Sequence, residues 1–160
     1  MANNKVIFDP DAGVAFPVNL TLNTGANFNA TFEVVNTSNT GYNFSTTNSL
    51  GVNTTSGWTG SSQMRKSISI GSGTTADATF SVGIDTTASV GYGFTISMGS
   101  TDTRSLSQGR YMYDVLVSSG ATIYRIVDGM IYVRPGTVSY THLRAHETKA
   151  NLVCRLLLEK

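Results

Sequence analysis

The segment "RYMYDVLVSSGATIYRIVDGMIYVRPG", residues 110–136, decides the fold class of this chain. Its first half places large apolar residues at every second position: Tyr111, Tyr113, Val115 and Val117. A period of two puts such side chains on one face of a β-strand. A Ser-Ser-Gly-Ala turn and a second β-branched, aromatic stretch follow, so the segment predicts an antiparallel hairpin. The pair Asp128 and Gly129 predicts a bulge or tight bend in its second strand.

The same alternation recurs upstream, where Gly, Ser, Thr and Asn separate the strand-like stretches. These stretches cover residues 18–23, 27–36, 57–70, 77–85 and 91–99. The first two flank a Thr-Gly-Ala turn and predict another hairpin. Residues 37–56 are polar and predict a long loop with a short edge strand near 42–44. Seven or eight short strands joined by turns predict an all-β fold, a two-sheet antiparallel sandwich.

The alternating apolar residues also predict the core between the two sheets. They are Phe32, Phe80, Ile84, Phe94, Ile96, Tyr113, Val115, Ile126, Ile131 and Val133. The domain organisation that follows is an N-terminal arm at 1–17, one sandwich at 18–137 and a tail at 138–160. The tail has no Gly or Pro and is rich in Leu, Ala, Arg, Lys and Glu, so we expect it to be helical or disordered.

The tail holds both histidines of the chain, His142 and His146, and its single cysteine, Cys154. On one helical face, two imidazoles and a thiolate could bind zinc. Glu147 follows His146, however, whereas the metalloprotease order places the glutamate between the histidines. Two solvated histidines on a helix are the simpler interpretation, and we expect no metal site.

The tail also resembles a translated sequencing-library adapter. One reading frame of a transposon-based adapter encodes Val138 to Glu147, and its continuation after a sample index encodes Asn151 to Lys160. The resemblance implies that residues 138–160 are non-native and that the natural reading frame is interrupted near Thr137.

Composition restricts the function classes. Residues 1–137 contain seven Lys and Arg, eight Asp and Glu, and no His or Cys. A charge this close to zero predicts no electrostatic binding of nucleic acid or of an anionic membrane. Without His or Cys, the usual nucleophile and base pairs are missing, and the carboxylates are scattered singly. We therefore expect no catalytic residues, no cofactor and no small-molecule substrate.

Several short motifs in fixed order resemble a β-sandwich module of tailed-bacteriophage virion proteins. They are "QMRKS" at 63–67, "DATFSVGI" at 77–84 and "LSQGRYMYDVLVSSGATIYRIVDGMIYVRPG" at 106–136. The residues that match the module's pattern include Gln63, Arg65, Gly109, Tyr111, Tyr113, Asp114, Arg125, Asp128, Gly129 and Pro135. The module is similar to the immunoglobulin-like N-terminal part of baseplate upper proteins.

The resemblance implies an immunoglobulin-like fold and a non-catalytic structural role in tail, baseplate or neck. The implied partners are other virion proteins or copies of the chain itself, and the implied location is the virion, assembled in the host bacterial cytoplasm. Exposed sheet edges would suit such assembly. The alternative is a carbohydrate-binding sandwich that recognises host-surface glycans, for which Tyr42, Trp58 and Tyr92 are the candidate aromatic residues.

Removing residues 138–160 tests the interpretation of the tail. A segment that was never selected has no surface built to receive it, so we expect deletion to change Tm by no more than about 2 °C. Differential scanning calorimetry of the full chain and the truncated chain measures this, and a larger loss of Tm would contradict the interpretation.

Overall fold

A computed structural model of the protein describes residues 4–44, 46–47, 53–54, 57–66, 75–85 and 93–136. The tail, with His142, His146 and Cys154, lies outside these residues, as does Tyr92. Within the described part, strands dominate, and the predicted all-β class is confirmed. No helix there is long and apolar enough to cross a membrane.

The strands and the short helix follow one another in this order. They are β1 (Asn4–Ile7), β2 (Phe16–Pro17), β3 (Leu20–Asn23), β4 (Phe28–Val35), β5 (Thr46–Thr47), β6 (Asn53–Thr54), β7 (Trp58–Arg65), β8 (Ala78–Asp85), β9 (Gly93–Met98), α1 (Ser100–Ser105), β10 (Gly109–Ser119) and β11 (Thr122–Arg134). The strands predicted around 57–70, 77–85 and 91–99 and the hairpin at 110–136 are all present. Helix α1 has about one and a half turns, and no sequence pattern predicts it.

Nine strands pair in one ladder with the order β1-β4-β9-β8-β7-β10-β11-β2, and β3 also pairs with β11. Strand β8 has two partners along its length, since Phe80 pairs with β7 and Ser81 begins the pairing with β9. The ladder curls nearly into a barrel. Its two ends approach each other closely. Phe8 follows β1 and Tyr124 lies on β11, and their ring centroids are 5.7 Å apart.

The N-terminal segment supplies both ends of this ladder. Strand β1 pairs with β4 in parallel, and β2 and β3 pair with β11 in parallel. Residues 4–17, set apart as an arm by the sequence, thus contribute two strands to the sheet. These parallel pairs depart from the expected antiparallel arrangement. The N-terminal segment runs beside β4 at β1 and then crosses to run beside β11 at β2 and β3.

Three local predictions are wrong. The edge strand predicted near 42–44 is reduced to one isolated bridge between Val35 and Gly41. Residues 18–23 and 27–36 do not form a hairpin, because β3 pairs with β11 whereas β4 pairs with β1 and β9. The bulge in the β10–β11 hairpin does not lie at Asp128 and Gly129, which pair regularly with Asp114 and Tyr113. It lies opposite the step from Val115 to Leu116, where Ile126 is the extra residue. The bulge turns both Ile126 and Val127 inward.

The predicted core is confirmed at nine of its ten positions. Phe32, Phe80, Phe94, Ile96, Tyr113, Val115, Ile126, Ile131 and Val133 are buried in one cluster. Ile84 is half-buried at the margin of that cluster. The predicted loop after β4 adds Phe44 to the core, and its neighbour Tyr42 packs against it from a half-buried position.

Truncating Phe94 to Ala tests the packing of this core. The Phe94 ring is fully buried and stacks on Phe32 at a centroid separation of 4.7 Å, so removing it leaves a cavity. We expect the free energy of unfolding to fall by about 3–5 kcal/mol, measured by urea denaturation. Tyr132→Ala, at an exposed aromatic, is the matched control. Equal losses in the two variants would show that Phe94 is not a core residue.

Candidate functional site

The motif residues singled out in the sequence lie on three neighbouring strands. Gln63 and Arg65 are on β7, Gly109, Tyr111, Tyr113 and Asp114 on β10, Arg125, Asp128 and Gly129 on β11, and Pro135 follows β11. Pairing joins many of them directly: Asp114 is the Cα partner of Gln63 and of Asp128, and Tyr113 is the partner of Gly129. The sequence motifs therefore come together in space on one part of the sheet.

The N-terminal segment is held at Val18, between β2 and β3, by Tyr113, Asp128 and Gly129. The Tyr113 hydroxyl donates to the Val18 carbonyl oxygen at 2.9 Å, and the Val18 amide donates to the Asp128 carbonyl oxygen at 2.9 Å. A Cβ on Gly129 would lie 2.0 Å from the Val18 carbonyl oxygen. Only glycine allows this approach, so these three residues and Val18 form what we call the Val18 clamp.

The environment of the Tyr113 hydroxyl disfavours the phenolate and so favours the protonated form that donates the hydrogen bond. Burial raises the pKa of Tyr113, and the nearby Asp128 carboxylate raises it further. A buried hydroxyl without an acceptor would be costly, and the Val18 carbonyl supplies that acceptor. The Tyr113 side chain therefore stabilises the clamp by hydrogen bonding and packing.

A second set of contacts fixes the entry into β10. The Tyr111 hydroxyl donates to the Ser107 carbonyl oxygen at 2.9 Å. The Lys66 ammonium donates to the Ser107 hydroxyl oxygen at 3.0 Å and lies 5.8 Å from the Tyr111 ring centroid. Gly109 has a φ of 142°, and a Cβ there would lie 3.3 Å from Lys66 Cε. Tyr111 thus anchors the connection from α1 to β10, and the backbone conformation at Gly109 favours glycine there.

The outward side of these strands carries charge. Asp114 lies directly opposite Asp128, an arrangement of like charges that destabilises a sheet unless a cation offsets it. Arg125 Nη2 lies 3.4 Å from Asp114 Oδ2 and provides that cation. This pair is partly exposed, so its net contribution to stability is small.

Further along the same outward side, three large apolar side chains are exposed among arginines. Met112 pairs with Met130 across the hairpin, and Arg110 pairs with Tyr132. Arg110 and Arg134 are exposed, and the Gln108 amide donates to the Tyr132 hydroxyl oxygen at 3.3 Å. We call this surface, made of Arg110, Met112, Met130, Tyr132 and Arg134, the basic face. Its members occupy the outward positions of the alternation that predicts the hairpin, but no sequence motif marks them as a site.

A cavity lies at the opposite end of the β10–β11 hairpin. Its volume is about 290 Å³, and it is lined by Phe8, Asp9, Pro10, Gly13, Val14, Ile123, Tyr124 and Arg125. The exposed Asp11 stands beside it, with its amide bonded to Asp9 Oδ1 at 3.0 Å. We call this cavity, together with Asp11, the acidic pocket. Its loop, "DPDAGV" at 9–14, was predicted as part of the N-terminal arm without a role.

Tyr42 and Trp58, two candidates for a sugar-binding row, lie in an aromatic cluster with Phe44. The ring centroids of Tyr42 and Trp58 lie 6.2 Å apart, and the ring planes meet edge to face at 87°. Phe44 packs against both rings. Trp58 also stacks on Tyr124 at 6.2 Å. Perpendicular rings of this kind pack a core margin and do not form the coplanar row that a sugar chain would need.

Among the described residues, no group of three or more Asp, Glu, His or Cys side chains is placed to hold a metal ion. No protein-family model matches the chain, and no curated protein is detectably similar to it. The candidate sites therefore rest on their own geometry: the Val18 clamp, the basic face and the acidic pocket.

Replacing Gly129 with Ala tests the Val18 clamp. The new methyl group would collide with the Val18 carbonyl oxygen, which cannot move without breaking the bonds to Tyr113 and Asp128. We expect the free energy of unfolding to fall by about 2 kcal/mol or more, measured by urea denaturation.

The matched control is Gly83→Ala, on strand β8. A Cβ at Gly83 has nothing within 4 Å, so the methyl group should be tolerated or slightly stabilising, by up to about 1 kcal/mol. Equal effects at the two glycines would show that the contact with Val18 does not constrain the sheet.

Proposed function

We propose that this chain is a non-catalytic structural component of a tailed phage particle, in the tail, baseplate or neck. It would act by assembly with neighbouring virion proteins or with copies of itself. The observation that carries the proposal is the placement of the module's motif residues. Tyr111 fixes the entry into β10, and Tyr113, Asp128 and Gly129 hold the Val18 segment against β10 and β11. Such contacts are expected of motif residues that specify a scaffold.

The finer fold proposed here is an immunoglobulin-like sandwich of two sheets. One layer would contain β1, β4, β9 and the second half of β8, and the other would contain β7, β10, β11, β2 and β3. The change of partner within β8 at Ser81 supports this division, because a strand that passes between two layers exchanges neighbours there. The ring contact between Phe8 and Tyr124 supports it too, because it joins the two layers.

In this role the chain works by being positioned, and it requires no cofactor, nucleic acid, membrane or small-molecule substrate. Interlocking contacts such as the Val18 clamp suit such work, because a building block must present its surfaces in a fixed geometry. The proposed location is the virion, following assembly in the host bacterial cytoplasm.

Carbohydrate binding is the alternative, and the aromatic geometry does not favour it. Tyr42 and Trp58 pack edge to face with Phe44, so neither pairs with the other as a flat platform. A glycan array probed with the full chain checks this alternative, and binding to a host-surface glycan would revive it.

Mass spectrometry of purified virions tests the structural role. In a phage that carries the gene for this module, we expect peptides from residues 60–136 in intact particles at a constant ratio to the major tail protein. Infected-cell lysate and a phage early protein serve as the positive and negative controls. Peptides present in the lysate but absent from particles would overturn the proposal and favour a host-directed binding role.

A further inference from the structure

Large hydrophobic side chains that the described residues expose concentrate at two places. Their exposed fractions are 41% for Met112, 37% for Met130, 39% for Tyr132, 76% for Val14 and 68% for Ile123. The first three belong to the basic face, and the last two line the acidic pocket. A sixth, Ile7, ends β1 one residue before the pocket residue Phe8. Exposed apolar side chains grouped in this way mark interaction surfaces.

The two surfaces carry opposite charge. Within the described part of the chain, Arg110 and Arg134 flank the apolar residues of the basic face and have no ion pair. The cation that lines the acidic pocket, Arg125, is paired with Asp114 at 3.4 Å. Asp9 and Asp11 lie beside Val14 and Ile123, and neither carboxylate has an ion pair within the described part. Each surface therefore combines an apolar centre with charges that a partner of the opposite sign would satisfy.

The surfaces lie at opposite ends of one hairpin, so they cannot meet within a single molecule. Ile123 stands at the beginning of β11 and Tyr132 near its end. A strand rises about 3.3 Å per residue, which separates these two side chains by about 30 Å. The basic face of one copy is therefore complementary, in charge and in its apolar centre, to the acidic pocket of another copy.

We propose that copies of this chain associate head to tail, with the basic face of one copy seated on the acidic pocket of the next. Met112, Met130 and Tyr132 would cover Val14, Ile123 and the pocket rim. Arg110 and Arg134 would lie against Asp9 and Asp11 of the neighbouring copy. Such a contact joins two different surfaces, so it is heterologous and builds a ring or a filament, depending on the rotation between copies.

The inference rests on the proposed structural function and names its partner, a second copy of the chain. Its test is separate from the virion experiment: the chain could be a virion component that binds only other proteins, or could self-associate outside a virion. A measurement of self-association in solution and the mass-spectrometric measurement can each fail alone.

The experiment is sedimentation velocity of the full chain over a concentration series, at about 50 mM and about 500 mM NaCl, since high salt screens charges at an exposed interface. We expect association at low salt that weakens at high salt. Two charge-reversed variants follow: a face variant with Arg110→Glu and Arg134→Glu, and a pocket variant with Asp9→Lys and Asp11→Lys. We expect each alone to associate at least about tenfold more weakly, because like charges then meet at every contact.

Mixing the two variants gives the decisive result. The negative face of one variant then meets the positive pocket of the other, and the native face and pocket meet at the alternate contact. We expect the equimolar mixture to recover association, which a variant that merely failed to fold could not do. Circular dichroism of each variant checks its fold independently.

Lys5→Glu and Asp102→Lys are the matched controls, because both residues are exposed and lie outside the two surfaces. We expect the association of these controls to match that of the original chain. Association that neither charge-reversed variant changes would overturn the proposal and assign self-association to another segment. A chain that remains monomeric at low salt, or a mixture without recovery, would overturn it equally.

Discussion

The rest of the sheet depends on the contact between the Val18 backbone and Gly129. The Val18 carbonyl oxygen occupies the space where a side chain at position 129 would stand, and it accepts the hydrogen bond of the buried Tyr113. This contact lies between β2 and β3, so it sets the position of both strands against β11. Because the same N-terminal segment also supplies β1 at the other end of the ladder, the clamp fixes where the curled sheet begins and ends.

The sequence predicts what is local in this fold and misses what depends on partners distant along the chain. Alternation identified the strands and nine of ten core residues, because a period of two determines which side chains share a face. Alternation does not determine which strand pairs with which, however. Leu20 and Leu22 fit the inner face equally well beside β4 or beside β11, and a turn-like Thr-Gly-Ala stretch suggested the wrong choice. The Asp-Gly pair misled similarly, since Gly129 serves a close approach from Val18 and the bulge lies at Ile126.

The candidate sites show the same division. The motif residues on β7, β10 and β11 could be identified from the sequence, and the structure brings them together. Their contacts involve Val18, which lies outside the quoted motifs, and Ser107, which is not among the matched residues. The basic face could have been found, because Arg110, Met112, Met130 and Tyr132 occupy the outward positions of a hairpin already predicted. The acidic pocket could not, because it exists only once the ladder curls and brings Phe8 beside Tyr124.

The geometry of the outermost strands favours association through faces over association through edges. Strand addition gains backbone hydrogen bonds in proportion to the length of the exposed edge. The strands at the two ends of the ladder are short, with four residues in β1, two in β2 and four in β3. Short edges, and the exposed Lys5 on β1, are features that limit pairing with another chain. The basic face instead lies on β10 and β11, the longest strands. The backbone at Met112 is paired on both sides, and the backbone at Met130 is held by pairing with Met112 and by the bond from its amide to Asn19 Oδ1. A surface whose backbone is already ordered in this way loses little backbone conformational entropy on binding, so its apolar and charged groups are presented together to a neighbouring molecule.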